Sequence, residues 1–344
     1  MFHRILITGS AGFIGYHLSR KLIELGYNIV GIDNLNSYYD INLKNARLSK
    51  LKEFASKNKN ILADFIKIDL VDKNSIDEVF NYYKPDVVVH LAAQAGVRYS
   101  LTNPEEYINS NLLGFGNILE NLRRAKVKNF IYASSSSVYG GNKKVPFSEK
   151  DPVNHPISLY AATKKSNELM AHSYSHLYGI ACTGMRFFTV YGPWGRPDMA
   201  PMIFADAIIN KKNLKIFNYG NMSRDFTFID DTVEYIYRLL DKPPQHNKSI
   251  NENKYLLDES WAPFRILNVG NGNPLSLMNF INLLEAEIGI SAEKRFIEMK
   301  KEDVKETAAD ITKIVNLTGY KPKTLLVDGI KEFVNWYKNY YSII

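Results

Sequence analysis

The sequence predicts an α/β protein, a doubly wound parallel sheet with a smaller C-terminal substrate-binding lobe. Short apolar runs alternate with helical stretches as far as residue 188, the pattern of parallel strands joined by crossover helices. The first of these runs opens into a glycine-spaced turn that leads straight into a helix. Past residue 188 the alternation stops at a segment rich in proline and glycine. Residues 1–188 are therefore read as the main domain, and residues 189–344 mainly as the lobe, with some segments returning to the main sheet. With 344 residues, 45% of them hydrophobic and 23% charged, the chain can bury a sizeable core and has the balance of a soluble globular protein.

Arg4 to Thr8 is an apolar run that ends in Gly9-Ser-Ala-Gly12-Phe13-Ile14-Gly15, after which Phe13, Ile14, Leu18, Leu22 and Leu25 follow helical spacing. Gly9 permits the tight turn, Gly12 lets a pyrophosphate approach the backbone, and Gly15 lets the helix pack on the strand, with the helix N-terminus facing the phosphates. This is a Rossmann-type start. Asn28 to Ile32 reads as a second strand ending at Asp33, 18 residues after Gly15, where a carboxylate for the adenosine ribose falls. Asp33, with Asn34 beside it, favours NAD over NADP because the site offers an acid and no base.

A polar helix from Tyr39 to Lys59, a strand from Phe65 to Asp69, a helix from Ser75 to Tyr83 and a strand from Asp86 to His90 continue the alternation. Asp69 and Leu70 fall beside the cofactor. Asp69 either meets an adenine edge or caps the helix that follows. Leu91, Ala92 and Ala93 let a cofactor lie against the sheet edge, and His90 is read as packed or backbone-bonded rather than as a base. Asn103 to Ala125 is expected to be one long amphipathic helix, and Asn129 to Ala133 a strand that delivers Ser134-Ser135-Ser136-Ser137.

A second long helix, Ser158 to Tyr178, carries Tyr160 and Lys164. Side chains four apart share a helical face, so the ammonium favours the phenolate by proximity. An ordinary phenol titrates near pH ~10, and the neighbouring charge is what makes Tyr160 a usable base. Ile118, Leu122, Leu169 and Met170 on the two long helices exceed what one core face needs. They suit either a homodimer of helices packed on two-fold mates or burial under the lobe.

After the strand Cys182 to Phe188, Pro193, Pro197 and Pro201 with Gly192 and Gly195 describe a shaped loop, neither strand nor helix. Lys215 to Asn218, Arg224 to Asp230 and a helix from Asp231 to Leu240 begin the lobe. Lys242 to Pro263 reads as a surface linker. Phe264 to Gly270 and helices Leu277 to Ile288 and Val327 to Tyr340 close the chain. The net charge of +7 comes from lysines interleaved with acids, which points to mild steering of an anionic small molecule and away from nucleic acid. The single cysteine, Cys182, excludes an internal disulfide and points to the reduced cytoplasm. No signal peptide, no membrane span of ~20 apolar residues and no metal site are expected.

Taken together, Thr8-Gly9-Ser-Ala-Gly12-Phe-Ile-Gly15, the Asp33 strand end, His90-Leu-Ala-Ala93, Asn111, Ser135, Tyr160, Lys164 and Arg224-Asp225-Phe226 resemble the extended short-chain dehydrogenase/reductase family, and within it the sugar-nucleotide 4-epimerases. The segments Asp33 to Asp40, Ala95 to Ser100 and Arg186 to Met199 narrow the resemblance to the UDP-glucuronate 4-epimerases. It implies that NAD takes a hydride from C4 of a UDP-sugar and returns it to the opposite face, interconverting UDP-glucuronate and UDP-galacturonate through a 4-keto sugar. Tyr160 would be the base at the 4-hydroxyl, Lys164 would hold the nicotinamide ribose and lower the Tyr160 pKa, and Ser135 would bind the same hydroxyl.

Within that resemblance Arg224 is the candidate for the diphosphate, since a guanidinium matches phosphate in a bidentate manner. Thr189 and Arg196 are the candidates for the sugar and its carboxylate. Arg98 is either a second charge partner or a surface or nucleotide-facing residue. Similar enzymes that dehydrate or decarboxylate carry a carboxylate just before Val138-Tyr139-Gly140; Ser136 and Ser137 stand there and cannot act as acid or base. They either contact the sugar or only keep the strand end clear. The chain departs from the family at Lys300-Lys-Glu302, although Asp303 is retained, and at Pro201. The competing readings are a UDP-glucose 4-epimerase, from which Arg196 discriminates, and an NAD-binding sensor, which would not need Tyr160.

Overall fold

The computed structural model describes residues 4–58, 61–247, 249–250, 256–299 and 304–343. The chain lays down β1 (Ile5–Thr8), α1 (Phe13–Glu24), β2 (Ile29–Asp33), α2 (Ile41–Ser56), β3 (Ala63–Lys67), α3 (Lys73–Tyr83) and β4 (Val87–His90). Two short helices, α4 (Tyr99–Thr102) and α5 (Pro104–Tyr107), and a π-helical turn (Ile108–Leu113) lead into α6 (Gly114–Ala125). Then come β5 (Asn129–Ser135), α7 (Leu159–Tyr178), β6 (Cys182–Phe187), β7 (Thr189–Tyr191), α8 (Ala200–Ile209), β8 (Leu214–Ile216), β9 (Ser223–Arg224), β10 (Phe226–Phe228) and α9 (Ile229–Leu239). β11 (Phe264–Val269), β12 (Leu275–Ser276), α10 (Leu277–Ile288), β13 (Lys294–Phe296), α11 (Thr312–Thr318) and α12 (Leu326–Tyr340) follow.

Seven of these strands form one sheet in the order β11-β6-β5-β4-β1-β2-β3. Every pairing in it is parallel. Helices cover both faces, which is why the strands read as nearly unbroken apolar runs. In β1, Ile5 and Ile7 enter one core while Leu6 enters the other, as the two-residue period of a strand requires. The chain crosses from β3 back over β1 to lay down β4, so the order reverses between β1 and β4. In open parallel sheets that reversal opens a crevice at the C-terminal strand ends. β11 returns from the distal part of the chain and pairs with β6 from Phe264↔Cys182 to Val269↔Phe187.

Three expectations are corrected. The helix expected over Asn103 to Ala125 is broken: Pro104 starts α5, where its missing N–H leaves no bond unmade, and the chain then widens into the π turn. Apolar spacing does not distinguish these states. The wide turn has a use, because it brings Asn111 against the exit of β4. Its Oδ1 accepts from the Gln94 amide at 2.8 Å, its Nδ2 donates to the Gln94 carbonyl at 2.9 Å, and its carbonyl accepts from Asn167 Nδ2 on α7 at 2.6 Å.

Pro201 lies in the first turn of α8, so the shaped loop ends at Met199 and the proline interrupts nothing. Of the four supernumerary apolar residues, Ile118 and Leu122 are fully buried in the core, Met170 packs against it, and Leu169 is exposed. Among the described residues no helix is long and apolar enough to cross a membrane.

Candidate active site

The C-terminal ends of β1, β2, β4, β5 and β6 open onto a cleft of about 370 Å³. At its first wall the chain leaves β1 through Gly9, whose φ is +71° and where an added Cβ would stand 2.8 Å from the Ala92 amide. Only glycine lets the two strand ends approach this closely. Gly12 caps α1 without a side chain, which leaves the first-turn amides to an anion. The Asp33 carboxylate accepts from the Ala11 amide at 3.1 Å and the Leu35 amide at 2.9 Å. Both of these donors are backbone amides.

Asn34 donates to Asp69 Oδ2 at 2.9 Å, and the Val71 amide to Asp69 Oδ1 at 3.0 Å. Asp72, not Asp69, caps α3, since its side chain accepts from the Ser75 amide. Asp69 is therefore not the cap of that helix, and it lines the cleft. Phe13, Ile14, Gly15, Leu70, Leu91, Ala92 and Ala93 complete this half of the lining. His90 packs beneath it with Nδ1 2.9 Å from Thr8 Oγ1, and burial pulls its pKa down to about 3, so it stays neutral. The glycine turn, the uncapped helix start and the acid at the end of β2 fit a dinucleotide lying across the strand ends.

The second wall carries the serine run, Tyr160 and Lys164. β5 runs on to Ser135, further than expected. Ser134 turns inward and donates to Glu168 Oε1 at 2.7 Å, and Glu168 also holds the buried Arg186 through Nε at 2.8 Å and Nη2 at 2.9 Å. Ser135 accepts from the Ser137 amide at 3.1 Å, which starts a 3₁₀ turn through Ser136 and Ser137, and all three serines line the cleft. Ser158 caps α7 by accepting from the Ala161 amide at 3.2 Å. This places Tyr160 in the first turn and Lys164 one turn later, both lining the cleft.

Burial raises the Tyr160 pKa, and the Ser135 hydroxyl and then the Arg196 charge oppose it. Lys164 donates to the Ala133 carbonyl at 3.0 Å, and burial brings its pKa down to about 7. Lys164 is not among the groups that shift Tyr160 here; its amine donates to the Ala133 carbonyl.

At the far end Thr189 and Arg196 line the cleft. Arg196 pairs with Asp198, Nε lying 3.0 Å from Oδ1 and Nη2 meeting Oδ2, and Asp198 accepts from the Tyr38 hydroxyl at 3.0 Å. Two predicted arginines are elsewhere. Arg98 begins α4 and lies over the Phe217 ring at 4.4 Å. Arg224 sits on β9 in a ribbon with β12, its Nη1 donating to the Ser223 carbonyl at 2.8 Å and the Lys305 carbonyl at 3.1 Å. Neither lines the cleft. Asp303, with Lys300 to Glu302, lies outside the described residues.

The sequence reading gave no role to Tyr38 and Lys44, which also line the cleft. Lys44 donates to the Asn36 carbonyl at 2.8 Å and to its side-chain oxygen at 2.7 Å. The signal was available for Tyr38, which stands in the segment Asp33 to Asp40 that carried the resemblance. Lys44, inside an ordinary helix, gave none.

A family model described as GDP-mannose 4,6 dehydratase matches residues 6–333. The chain belongs to this extended short-chain dehydrogenase/reductase family. A probable UDP-glucuronate 4-epimerase of Rhizobium meliloti (strain 1021) is 46% identical to this reductase-family chain over 339 residues, covering 98% of each. The crystal structure of UDP-glucuronic acid 4-epimerase from Bacillus cereus, in complex with UDP-glucuronic acid and NAD, has a TM-score of 0.85 at 33% identity and covers 98% of this chain and 100% of that one. UDP-glucose 4-epimerase from Thermotoga maritima, with UDP-glucose, has a TM-score of 0.80 at 30% identity, covering 98% and 99%.

Proposed function

We propose that this protein is an NAD-dependent 4-epimerase that interconverts UDP-glucuronate and UDP-galacturonate. The observation that carries the reading is the order of groups along one cleft: the glycine turn and Asp33 at one end, Ser135, Tyr160 and Lys164 in the middle, Thr189 and Arg196 at the other. Two of the epimerases similar to it are named for UDP-glucuronate, one of them in complex with it. Gly9, Gly12 and the start of α1 take the pyrophosphate, Asp33 the adenosine ribose, Asn34 and Asp69 the adenine edge, and Lys164 the nicotinamide ribose. NAD supplies the hydride acceptor for C4 and the donor that returns it. Tyr160 takes the proton of the 4-hydroxyl and gives it back, and Ser135 orients that hydroxyl. Ser136 and Ser137 are small enough to let the sugar turn, while Arg196 and Thr189 receive the carboxylate.

A dehydratase reading, which the family description suggests, needs an acid or base beside the keto sugar. Ser136 and Ser137 stand at that place, and among the described residues that line the cleft the carboxylates are Asp33 and Asp69, at the adenosine end. Exposed Leu169 and Leu177 on α7, with Leu113 in the π turn, support a homodimer. The buried free thiol of Cys182 suits a cytoplasmic enzyme, and its product suits polysaccharide precursor synthesis.

The test is to incubate the protein with UDP-glucuronate, and separately with UDP-glucose, with and without added NAD, and to follow products by NMR. UDP-galacturonate at equilibrium with its substrate, without net NADH or carbon dioxide, is expected. Formation of UDP-galactose alone would overturn the role of Arg196, and a 4-keto-6-deoxy product would establish the dehydratase.

A further inference from the structure

Three segments far apart in sequence meet beside the cleft. Arg196 turns the Nε–Nη2 edge of its guanidinium onto Asp198, and the Tyr38 hydroxyl donates to the same carboxylate at 3.0 Å. Gly96 makes room for this contact: its φ is +104°, and an added Cβ would stand 2.5 Å from Tyr38 Oη. Arg196 and Tyr38 line the cleft, whereas Asp198 stands behind them. A guanidinium has two edges that can hold a carboxylate. Asp198 takes the side edge, so Nη1 and the outer hydrogen of Nη2 remain for the cleft.

We propose that Asp198, anchored by Tyr38, is a positioning residue that fixes which edge of Arg196 meets the sugar carboxylate and balances the charge Arg196 sets beside Tyr160. The identity of the sugar in this inference rests on the proposed function; the charge coupling does not. Tyr160 has the Tyr107 ring from α5 at 6.0 Å, shares the cleft lining with Ser135, Lys164 and Arg196, and is within reach of the charges of Arg196 and Asp198 from the loop before α8. Of the loop pair, Arg196 lowers the phenol's pKa and Asp198 raises it. Removing the aspartate charge leaves Arg196 unbalanced and favours the phenolate.

Asp198→Asn in the NAD-loaded protein is expected to move the acidic limb of kcat/KM for UDP-glucuronate to lower pH. Its kcat should fall about tenfold as Arg196 loses its fixed edge. Tyr38→Phe keeps the charge of Asp198, so its limb should stay while kcat falls. An Asp198→Asn limb identical to wild type, or a Tyr38→Phe kcat identical to wild type, would overturn the inference. A second readout needs no turnover: ultraviolet titration of each protein minus its Tyr160→Phe counterpart isolates the Tyr160 phenol. If neither UDP-sugar is converted, the proposed function falls. The titration still decides the coupling, a phenol unmoved by Asp198→Asn refuting it and one shifted to lower pH upholding it.

Discussion

Lys164 donates to the Ala133 carbonyl at 3.0 Å from a position only 2% exposed. Burial brings its pKa from 10.5 down to about 7, so the folded state gives up a proton that the unfolded chain keeps. Between those two values stability rises with pH, and below about 7 the penalty is present in full. Lys164→Met removes it. The variant is expected to be more stable than the parent at pH 7 by on the order of 2–4 kcal/mol, with the gap narrowing towards pH 10. Denaturant titrations at the two pH values measure it, and a constant gap would mean that the amine is not displaced from its ordinary pKa.

Tyr160 and Ser135 line the cleft together, and the Ser135 hydroxyl draws the Tyr160 pKa down against its burial. Tyr160→Phe keeps the ring and removes the proton acceptor, so cofactor retention should be unchanged while turnover falls by about 10²–10⁴. Extracting and quantifying bound NAD beside a progress curve separates the two effects. Near-normal turnover would remove Tyr160 from the role of base.

Behind β5, Glu168 and Arg186 form a pair 2% and 0% exposed, and Arg186 Nη1 has no partner. Burial pushes the Glu168 carboxyl up, but Arg186, together with Lys165 and Ser134, more than offsets it and the pKa ends low. The pair therefore stabilises the fold above the ordinary carboxylate range, and that contribution disappears as pH falls through the folded pKa. Glu168→Gln leaves a buried cation uncompensated and should cost about 3–5 kcal/mol. Glu168→Met with Arg186→Met should recover most of it, as measured by urea unfolding.

What the sequence shows clearly is what the backbone needs locally. Gly9, Gly12 and Asp33 are legible because a turn, an uncapped helix start and a strand end fix residue types at short range. Tyr160 and Lys164 are legible because one helical turn relates them. Arg98 and Arg224 carry no local signal of where they face, because their chemistry fits phosphate wherever they stand and only tertiary packing orients them. The π turn was hidden because the apolar spacing of Asn103 to Ala125 suits an unbroken helix equally well. Asp198 escaped for a related reason: its partner Tyr38 is 160 residues away, and nothing near Asp198 in the chain announces the contact.

Arg196 is the group on which substrate choice should turn. It lines the cleft with one edge held by Asp198, so its truncation removes the carboxylate's partner and strands Asp198 beside Tyr160. Loss of a charge-assisted hydrogen bond of about 2 kcal/mol corresponds to roughly thirtyfold in kcat/KM for UDP-glucuronate. A neutral UDP-sugar has no charge to lose and should change only a few-fold. Arg196 lowers the Tyr160 pKa and Asp198 raises it, so Arg196→Ala should also move the acidic limb of the rate profile to higher pH, opposite to Asp198→Asn. Competition between the two UDP-sugars across pH measures both effects, and an equal loss on the two substrates would place Arg196 on the nucleotide and not on the uronate.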